Sequence, residues 1–194
     1  MNSPQSGGQP NPPERIALIG MRGSGKSSVG QALASHYSST CVDLDERITA
    51  EAGCSIADIF SREGESGFRE RESALLIAML GEPVVLPPTV CSLGGGVILR
   101  DDNRRRLRDR SIVVWLDASV PTLWQRIQSD PASGANRPAL TGLEGEEELS
   151  AVLAAREPLY LASCHIRVTT DGCSVESVAA LIAERIRSAD GMSS

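Results

Sequence analysis

The chain has 194 residues, of which 41% are hydrophobic and 23% are charged, as expected for a globular domain that can bury a core of its own. Its net charge is -6 and only 3% of its residues are aromatic, so we expect neither a binder of nucleic-acid phosphates nor an aromatic platform for stacked bases. No run of about 18 apolar residues and no signal-peptide pattern occur, so we expect a cytoplasmic protein with no nucleic-acid and no membrane partner.

The two ends of the chain are interpreted as flexible tails. Residues 1–13 are rich in Pro, Gly, Ser, Asn and Gln and nearly free of large apolar side chains, so burial cannot offset the entropy that ordering them would cost. Residues 189–194 are expected to fray in the same way. The pattern therefore predicts one domain over residues 14–188.

Between the tails, short apolar runs alternate with helical patterns. Strands are predicted at residues 15–19, 40–43, 90–93, 112–116 and 166–169. Helices are predicted at residues 26–37, 46–81 with a break near 52–55, 120–128, 146–156 and 174–187. Such alternation predicts an α/β fold, in which a parallel five-stranded sheet is covered by helices on both faces.

Two polar segments stand apart from this alternation. Residues 130–145 carry glycine and proline and are too polar for a core element, so a long loop is predicted there. The arginines of residues 104–110 are interleaved with Asp101, Asp102 and Asp109. This mixture is typical of a solvated helix face, so it does not indicate a nucleic-acid site.

The segment Gly20–Ser27 matches the phosphate-binding pattern G-x-x-x-x-G-K-[ST], and it has the strand before it and the helix after it that the motif requires. The glycines let backbone N–H groups turn towards phosphate oxygens, and the helix N-terminus adds a partial positive charge. The nucleotide is therefore expected to contact Gly23, Ser24, Gly25, Lys26, Ser27 and Ser28. Lys26 should reach the β- and γ-phosphates, and Ser27 should bind Mg²⁺.

The phosphate loop by itself leaves the reaction open. A GTPase should add a base-reading motif of the type N-K-x-D, which is missing, and an ATPase motor normally has a longer chain. A small-molecule kinase that uses ATP and Mg²⁺ is the interpretation that fits. The alternative is a chance match in a glycine-bearing turn.

Asp43 and Asp45 follow the second predicted strand. Residues two apart on an extended chain point to the same side, and α/β sheets bind ligands beyond the carboxyl ends of their strands. One carboxylate can hold a metal-bound water while the other accepts a hydrogen bond from a substrate hydroxyl. The alternative is an exposed pair, one of which caps the following helix.

The chain has five cysteines and no C-x-x-C pair. We expect small, buried, reduced residues, because neither the odd number nor the spacing suits disulfide or metal chemistry. The five are Cys41, Cys54, Cys91, Cys164 and Cys173.

Further motifs follow the phosphate loop and the D-L-D of residues 43–45 in a definite order. They are G-C-S-I-A-D-I-F at 53–60, G-E-S-G-F-R at 64–69, G-G-G at 94–96, R-P at 137–138 and R-E-P-L-Y at 156–160. With them, the sequence from about residue 15 to 187 resembles the shikimate kinase family. The resemblance implies the three-layer fold of P-loop kinases related to nucleoside-monophosphate kinases, with a mobile lid at about 130–145.

The resemblance also implies the reaction and its participants. ATP would phosphorylate the 3-hydroxyl of shikimate, in the pathway to chorismate and the aromatic amino acids. One Mg²⁺ per subunit would serve as cofactor, the partners would be the small molecules ATP and shikimate, and the protein would be a monomer.

On the acceptor side, the resemblance assigns roles to four residues. Arg69 and Arg156 match the arginines that hold the substrate carboxylate, for which the planar guanidinium fork is suited. Asp45 matches the residue that binds the ring hydroxyls, and it is the candidate to orient or deprotonate the attacking oxygen. Gly95 matches the backbone that approaches the substrate.

On the donor side, Asp43 matches the residue near Mg²⁺ and Arg126 matches a position near the adenine. Arg137 matches the lid arginine that contacts the phosphates and offsets charge during transfer, so it joins Lys26 and Asp45 as a catalytic candidate.

Each arginine has a simpler alternative if the resemblance is set aside. Arg69 would belong to a salt-bridged helix face at residues 68–72, Arg156 would complement a helix dipole, and Arg137 would be an ordinary loop residue. The sequence also departs from the family pattern, with Ala139 where leucine is frequent and no arginine near residues 171–173, which predicts a weaker hold on adenine.

Two rival functions follow from the same residues. One is another small P-loop kinase, acting on gluconate or a nucleoside. The other is a kinase-like domain that senses a ligand and regulates transcription, for which residues 1–13 are too short to supply a helix-turn-helix.

Overall fold

The computed structural model describes residues 15–82, 87–129 and 145–191. Its 5-stranded sheet has the strand order β2-β3-β1-β4-β5, and every neighbouring pair of strands is parallel. The predicted parallel sheet is therefore confirmed. The strands are β1 (Arg15–Ile19), β2 (Cys41–Asp43), β3 (Thr89–Ser92), β4 (Ile112–Asp117) and β5 (Ile166–Thr169).

The helices alternate with these strands along the chain, and a short 3₁₀ turn at Val97–Leu99 follows β3. In the described part of the chain, none of them is long and apolar enough to cross a membrane. They are α1 (Lys26–His36), α2 (Leu44–Ala52), α3 (Ile56–Gly81), α4 (Asp101–Arg110), α5 (Val120–Ser129), α6 (Gly145–Ser163) and α7 (Val175–Gly191).

Three helix boundaries differ by two residues or more from those that the sequence predicted. Helix α2 begins at Leu44, directly after Asp43, whose side chain accepts hydrogen bonds from the N–H groups of the first turn. Helix α6 continues through Pro158 to Ser163, and α7 ends at Gly191. The predicted domain boundary at residue 188 therefore lies inside a helix.

Side chains of β1 alternate between two apolar cores, one on each face of the sheet. Ile16 and Leu18 pack with residues of α1 and α7 on one face. Ala17 and Ile19 pack with residues of α3, α5 and α6 on the other. Helices thus cover both faces of a sheet that is apolar on both sides, as predicted for a three-layer fold.

Helix α3 is interrupted at Gly64, whose backbone has φ 70 and ψ -175. Only glycine adopts this region easily, because it has no Cβ. The helix starts at a capping box, in which Ser55 and Asp58 bond each other's backbone N–H groups. The break divides α3 into two parts, and the second part carries Arg69 and Glu72 into the core face.

The carboxyl ends of β1, β2 and β3 lie side by side, because these strands are adjacent and parallel. The phosphate loop follows β1, Asp43 ends β2, and the segment Leu93–Gly96 follows β3. Parallel strands therefore bring three distant segments of the chain to one edge of the sheet, where α/β proteins bind ligands.

Candidate active site

The loop after β1 forms a cradle that only glycine permits. Gly20 has φ 146 and Gly23 has φ 81. A Cβ on Gly20 would collide with the carbonyl oxygen of Leu116, and a Cβ on Gly23 would lie 2.8 Å from the carbonyl oxygen of Leu123. The loop can pack this closely only because both side chains are absent.

Helix α1 begins directly after the cradle with a free N-terminus. Gly25 is its N-cap, in left-handed conformation, and none of the described side chains caps it. The first N–H groups of an α-helix lack intrahelical acceptors and carry partial positive charge. They therefore suit a phosphate group at this position.

Ser24 and Lys26 supply further groups for an anion in the loop. Ser24 is 1% exposed, and among the described residues its buried Oγ has no hydrogen-bond partner. Buried polar atoms are normally satisfied, so this hydroxyl is suited to bond an oxygen of a bound phosphate. The Lys26 Nζ donates to the carbonyl oxygens of Gly20 at 3.1 Å and Met21 at 2.8 Å, which holds its charge inside the loop.

A cavity of about 830 Å³ lies over this edge of the sheet, within the usual size range for small-molecule sites. It is lined by loop residues 22–28, by Asp43 and Asp45, by Gly95 and by Arg126. The structure thus brings together the predicted phosphate-binding, metal-binding and hydroxyl-binding side chains, which come from four separate parts of the chain.

Asp43 accepts hydrogen bonds from its neighbours at the predicted metal site. Its Oδ2 accepts hydrogen bonds from Ser27 Oγ and from Ser92 Oγ, each at 2.9 Å. Its Oδ1 accepts from the backbone N–H of Asp45 at 2.9 Å. A serine hydroxyl and a carboxylate beside the phosphate loop are hard oxygen donors of the kind that Mg²⁺ takes. The pair Ser27 and Asp43 therefore fits a magnesium ion.

The geometry expected for Asp43 and Asp45 needs a correction. The two were expected to point the same way from an extended chain, but α2 already begins at Leu44. Asp43 caps that helix, as the alternative interpretation held, and Asp45 lies in its first turn. A helix turn nevertheless leaves both residues on the cavity wall, because it starts at the end of β2.

At the other end of the site, two arginines approach the glycine segment from different helices. Arg156 of α6 donates from Nη1 to the carbonyl oxygen of Gly95 at 3.3 Å. A Cβ on Gly96 would collide with the guanidinium of Arg69, on α3. Neither arginine is among the residues that line the cavity, although both contact its glycine segment. The two predicted carboxylate-binding residues therefore converge on one backbone segment.

Arg69 is 7% exposed and is held by two carboxylates of its own helix. Its Nη1 donates to Glu72 at 2.8 Å, and its Nη2 lies 3.3 Å from Glu65. The alternative of a salt-bridged helix face is thus correct about the pairing, and the partner Glu72 is itself 1% exposed. A buried guanidinium with fixed partners keeps one orientation, which is what recognition of a carboxylate needs.

Arg126 joins the phosphate loop to the far end of the cavity. Its guanidinium donates to the carbonyl oxygen of Thr170 at 2.8 Å and to the Thr170 Oγ1 at 2.9 Å. A longer contact, of 3.4 Å, reaches the carbonyl oxygen of Gly23. Cys173 also lines this end of the cavity and is exposed. Of the five cysteines only Cys91 is buried, and the other three are partly exposed, so the expectation of buried cysteines is confirmed for Cys91 alone.

One catalytic candidate cannot be placed. Arg137 and residues 130–144 of the predicted lid lie outside the described residues, so the role of that arginine stays a prediction.

Sequence reasoning missed four residues that contact the site. Glu72 stands three residues after Arg69 on one helix, a spacing that could have indicated the pair. Tyr160 is the last residue of R-E-P-L-Y and had no assigned role. Ser92 ends β3 and Thr170 directly follows β5. Their bonds to Asp43 and Arg126 depend on strand order, which no local pattern reveals.

Comparison with known proteins agrees with this geometry. The family model described as "Shikimate kinase" matches residues 22–187. A shikimate kinase of Symbiobacterium thermophilum is 40% identical over 173 residues, which are 89% of this chain and 95% of that protein. Shikimate kinase 2 of Escherichia fergusonii is 42% identical over 153 residues, which are 79% of this chain and 81% of that protein.

Among solved structures, too, the chain is similar to shikimate kinases. The shikimate kinase from Acinetobacter baumannii in complex with shikimate matches with a TM-score of 0.83 and 33% identity, over 93% of this chain and 96% of that one. A deoxyadenosine kinase from M. mycoides matches with a TM-score of 0.57 and 14% identity, over 90% of this chain and 99% of that one, and so shares the fold alone. Since a phosphate loop and a pair of converging arginines occur here in a chain that these relatives match nearly end to end, the protein belongs to the shikimate kinase family.

Proposed function

We propose that this chain transfers the γ-phosphoryl group of ATP to the 3-hydroxyl of shikimate, giving ADP and 3-phosphoshikimate. The observation that carries the proposal is the convergence of Arg69 and Arg156 on the Gly95–Gly96 backbone, beside a phosphate loop. A triphosphate at one end of the cavity and a carboxylate at the other would place a substrate hydroxyl between them, near Asp45.

The phosphate loop would hold the donor. The N–H groups at the start of α1, the Ser24 hydroxyl and the Lys26 ammonium bind phosphate oxygens, and Arg126 lies towards the adenine. Phosphoryl transfer requires little covalent work from the protein, so positioning and charge stabilisation supply most of the rate. We assign Arg137 to this task as well, as a lid arginine that closes on the phosphates.

Ser27 and Asp43 would hold one Mg²⁺ per subunit. An ion held there would act as a Lewis acid and would neutralise part of the charge of the triphosphate. Asp43 already bonds both Ser27 and Ser92, so its carboxylate stays next to the serine hydroxyl that binds the ion.

The acceptor would be held by its carboxylate and its hydroxyls. Arg69 and Arg156 bind the carboxylate, and Gly95 allows the backbone to approach the ring. Asp45 then accepts a hydrogen bond from the 3-hydroxyl and aligns its oxygen with the γ-phosphorus. Either alignment or removal of the proton lowers the barrier at this step.

We further propose a cytoplasmic monomer whose partners are ATP and shikimate, without nucleic acid or membrane. The net charge of -6 opposes binding to a phosphate backbone. Gel filtration with light scattering measures the oligomeric state, and a dimer mass at working concentrations would contradict the monomer.

A coupled assay of ADP release tests the reaction. The purified protein with Mg²⁺ and ATP should release ADP rapidly when shikimate is added, and only slowly without an acceptor. Gluconate and a nucleoside serve as parallel acceptors. Release with gluconate or a nucleoside but not with shikimate would overturn the proposed substrate, and no release with any acceptor would overturn a kinase function.

Replacing Arg156 with alanine tests the carboxylate site. The loss of charge-assisted hydrogen bonds should weaken shikimate binding by roughly 1.5–3 kcal/mol, while the KM for ATP stays nearly unchanged. Arg105→Ala is the matched control, since Arg105 is an exposed arginine of α4, paired with Asp102. A change confined to the KM for ATP would show that the carboxylate site has been misplaced.

A further inference from the structure

The carbonyl oxygen of Gly95 accepts two hydrogen bonds from α6. The Tyr160 hydroxyl donates to it at 2.7 Å and Arg156 Nη1 donates at 3.3 Å. The two donors stand four residues apart, which places them on the same face of the helix. The first distance is typical of a hydroxyl donor, whereas the second exceeds the usual range for N–H donors. Tyr160 therefore makes the stronger bond.

Tyr160 is rigidly seated behind the glycine segment. Its side chain is fully buried, at 0% exposure, and its ring stacks on Trp115 of β4 with 5.5 Å between centroids. The guanidinium of Arg167, the residue paired with Trp115 on β5, covers that indole at 4.3 Å. Packing against β4 therefore fixes the position of the tyrosine hydroxyl.

The bond to Gly95 determines how the glycine segment faces the site. A peptide unit is planar and trans, so the C=O of Gly95 and the N–H of Gly96 point in opposite directions. Glycine allows a peptide unit to rotate more freely than other residues do. Holding the carbonyl towards α6 therefore also keeps the Gly96 N–H pointing away from α6.

The double acceptance at Gly95 has a consequence for Arg156. If that arginine alone held the carbonyl, turning towards a substrate carboxylate would release the glycine segment. Because Tyr160 holds the same oxygen at a shorter distance, Arg156 can reorient while the backbone stays in place. The two tasks, support of the loop and binding of the substrate, are thereby divided between two residues of one helix.

We propose that Tyr160 is a positioning residue for the acceptor site, whose hydroxyl holds the backbone of Gly94–Gly96 in the orientation that binds the substrate. This role rests on the proposed phosphorylation of shikimate. Tyr160 does not touch the reacting atoms, so its loss affects the KM for the acceptor and leaves the donor site unchanged.

The variant Tyr160→Phe removes the hydroxyl and keeps the ring against Trp115. Its KM for shikimate should rise about 3–10-fold, the effect of one lost hydrogen bond, with the KM for ATP unchanged. Ser163→Ala is the matched control, because Ser163 is also buried on α6 and donates to the carbonyl oxygen of Leu159 at 2.6 Å. It should leave both KM values unchanged. An unaltered KM for shikimate in Tyr160→Phe, or an equal rise in both KM values, overturns the proposal.

A second measurement needs no destabilising variant. The chain has only 2 tyrosines, so incorporation of 3-fluorotyrosine gives two ¹⁹F resonances, assigned through Tyr37→Phe. Shikimate should shift the Tyr160 resonance and leave that of Tyr37, which follows α1, in place. A Tyr160 resonance that does not move at saturating shikimate overturns the proposal.

The wild-type assay separates this inference from the reaction on which it rests. Wild-type protein that releases no ADP on addition of shikimate contradicts the proposed function itself. Active wild-type protein, together with unchanged Tyr160→Phe kinetics, contradicts the positioning role alone.

Discussion

Asp43 connects the donor and acceptor halves of the site through a single carboxylate. One oxygen accepts from the serines that end the phosphate loop and β3, and the other accepts from the N–H of Asp45. One short side chain can accept all of these hydrogen bonds because β2 ends at Asp43 and α2 begins at Leu44. The backbone N–H of Asp45 is thus held in place, and the residue lines the cavity.

The exchange Asp45→Asn tests the acceptor role directly. An amide cannot take a proton and aligns the hydroxyl poorly, so turnover should fall about 100-fold or more. ATP affinity, measured by calorimetry, should stay nearly the same. Glu51→Gln, at the exposed far end of the same helix, is the control and should keep its activity. Undiminished turnover in Asp45→Asn would contradict the assignment.

Cys173 offers a chemical probe of the donor end. It is exposed and lines the cavity, whereas burial raises the pKa of Cys41 to about 11 and that of Cys91 to about 12. Near pH 8, iodoacetamide should alkylate Cys173 first, because the reagent must reach the thiol and Cys54 and Cys164 are only partly exposed. ATP at about ten times its Kd should slow the reaction about ten-fold, because only unoccupied protein is modified.

Mass spectrometry of digested protein identifies the alkylated thiol, and Cys173→Ser should lack the fast phase. An alkylation rate that ATP leaves unchanged would show that the nucleotide does not cover this end of the cavity.

At the scale of elements, two of the ion pairs on α3 lie in different surroundings. Arg69 and Glu72 are both buried in its second part, while Glu63 and Arg71 form a pair across the Gly64 break that is about one-third exposed on each side. Burial makes the first pair costly to break, because the charge that remains is left without solvent. Solvent screens the second pair, so it contributes little.

The variants Glu72→Ala and Glu63→Ala compare these two pairs on one helix. Glu72→Ala should lower the free energy of unfolding by about 3 kcal/mol, the lower end for a broken buried pair, since Glu65 still contacts Arg69. Glu63→Ala should change it little. Urea denaturation measures both variants, and equal losses would refute the distinction.

Glu72→Ala should also raise the KM for shikimate, because Arg69 loses the partner that fixes its guanidinium. Helix α3 thus links stability and substrate binding through one carboxylate.

At the scale of the whole molecule, the sheet order places the carboxyl ends of β2, β3 and β1 together, and β4 and β5 extend the sheet on the other side of β1.

The segment before β5 contains a hydrogen bond that depends on pH. His165 Nδ1 accepts a hydrogen bond from the backbone N–H of Val113 at 3.0 Å, which only the neutral imidazole can do. Partial burial and the nearby charge of Arg108 lower the pKa of His165 below 6.5.

Stability should therefore depend on pH below neutrality. Between the lowered pKa of folded His165 and 6.5, the unfolded chain binds more protons, so the free energy of unfolding rises with pH. The contribution of His165 is complete above pH 6.5 and is lost as the pH falls through that window. The melting temperature should fall as the pH is lowered from about 7.5 to about 5.5. The melting temperature of His165→Asn should fall less steeply over the same range. Equal slopes for the two proteins would contradict this assignment.

Much of the fold was predictable because local patterns specify it. The apolar run at 112–116, the glycines before Lys26 and the spacing of apolar residues in the last helix each indicate an element without reference to the rest of the chain. Boundaries were less predictable, since the start of α2 at Leu44 depends on a cap by Asp43. Helix α6 also continues past Pro158, a residue that usually ends or kinks a helix.

The sequence by itself determined the phosphate loop, the parallel sheet and the family, because each depends on residues that stand close together or in a definite order. Only the tertiary structure decided that Glu72 holds Arg69, that Ser92 reaches Asp43 and that Tyr160 supports Gly95. These contacts join residues on different elements or depend on burial. They form when strands pair and helices pack, and no spacing along the chain specifies which side chains then meet.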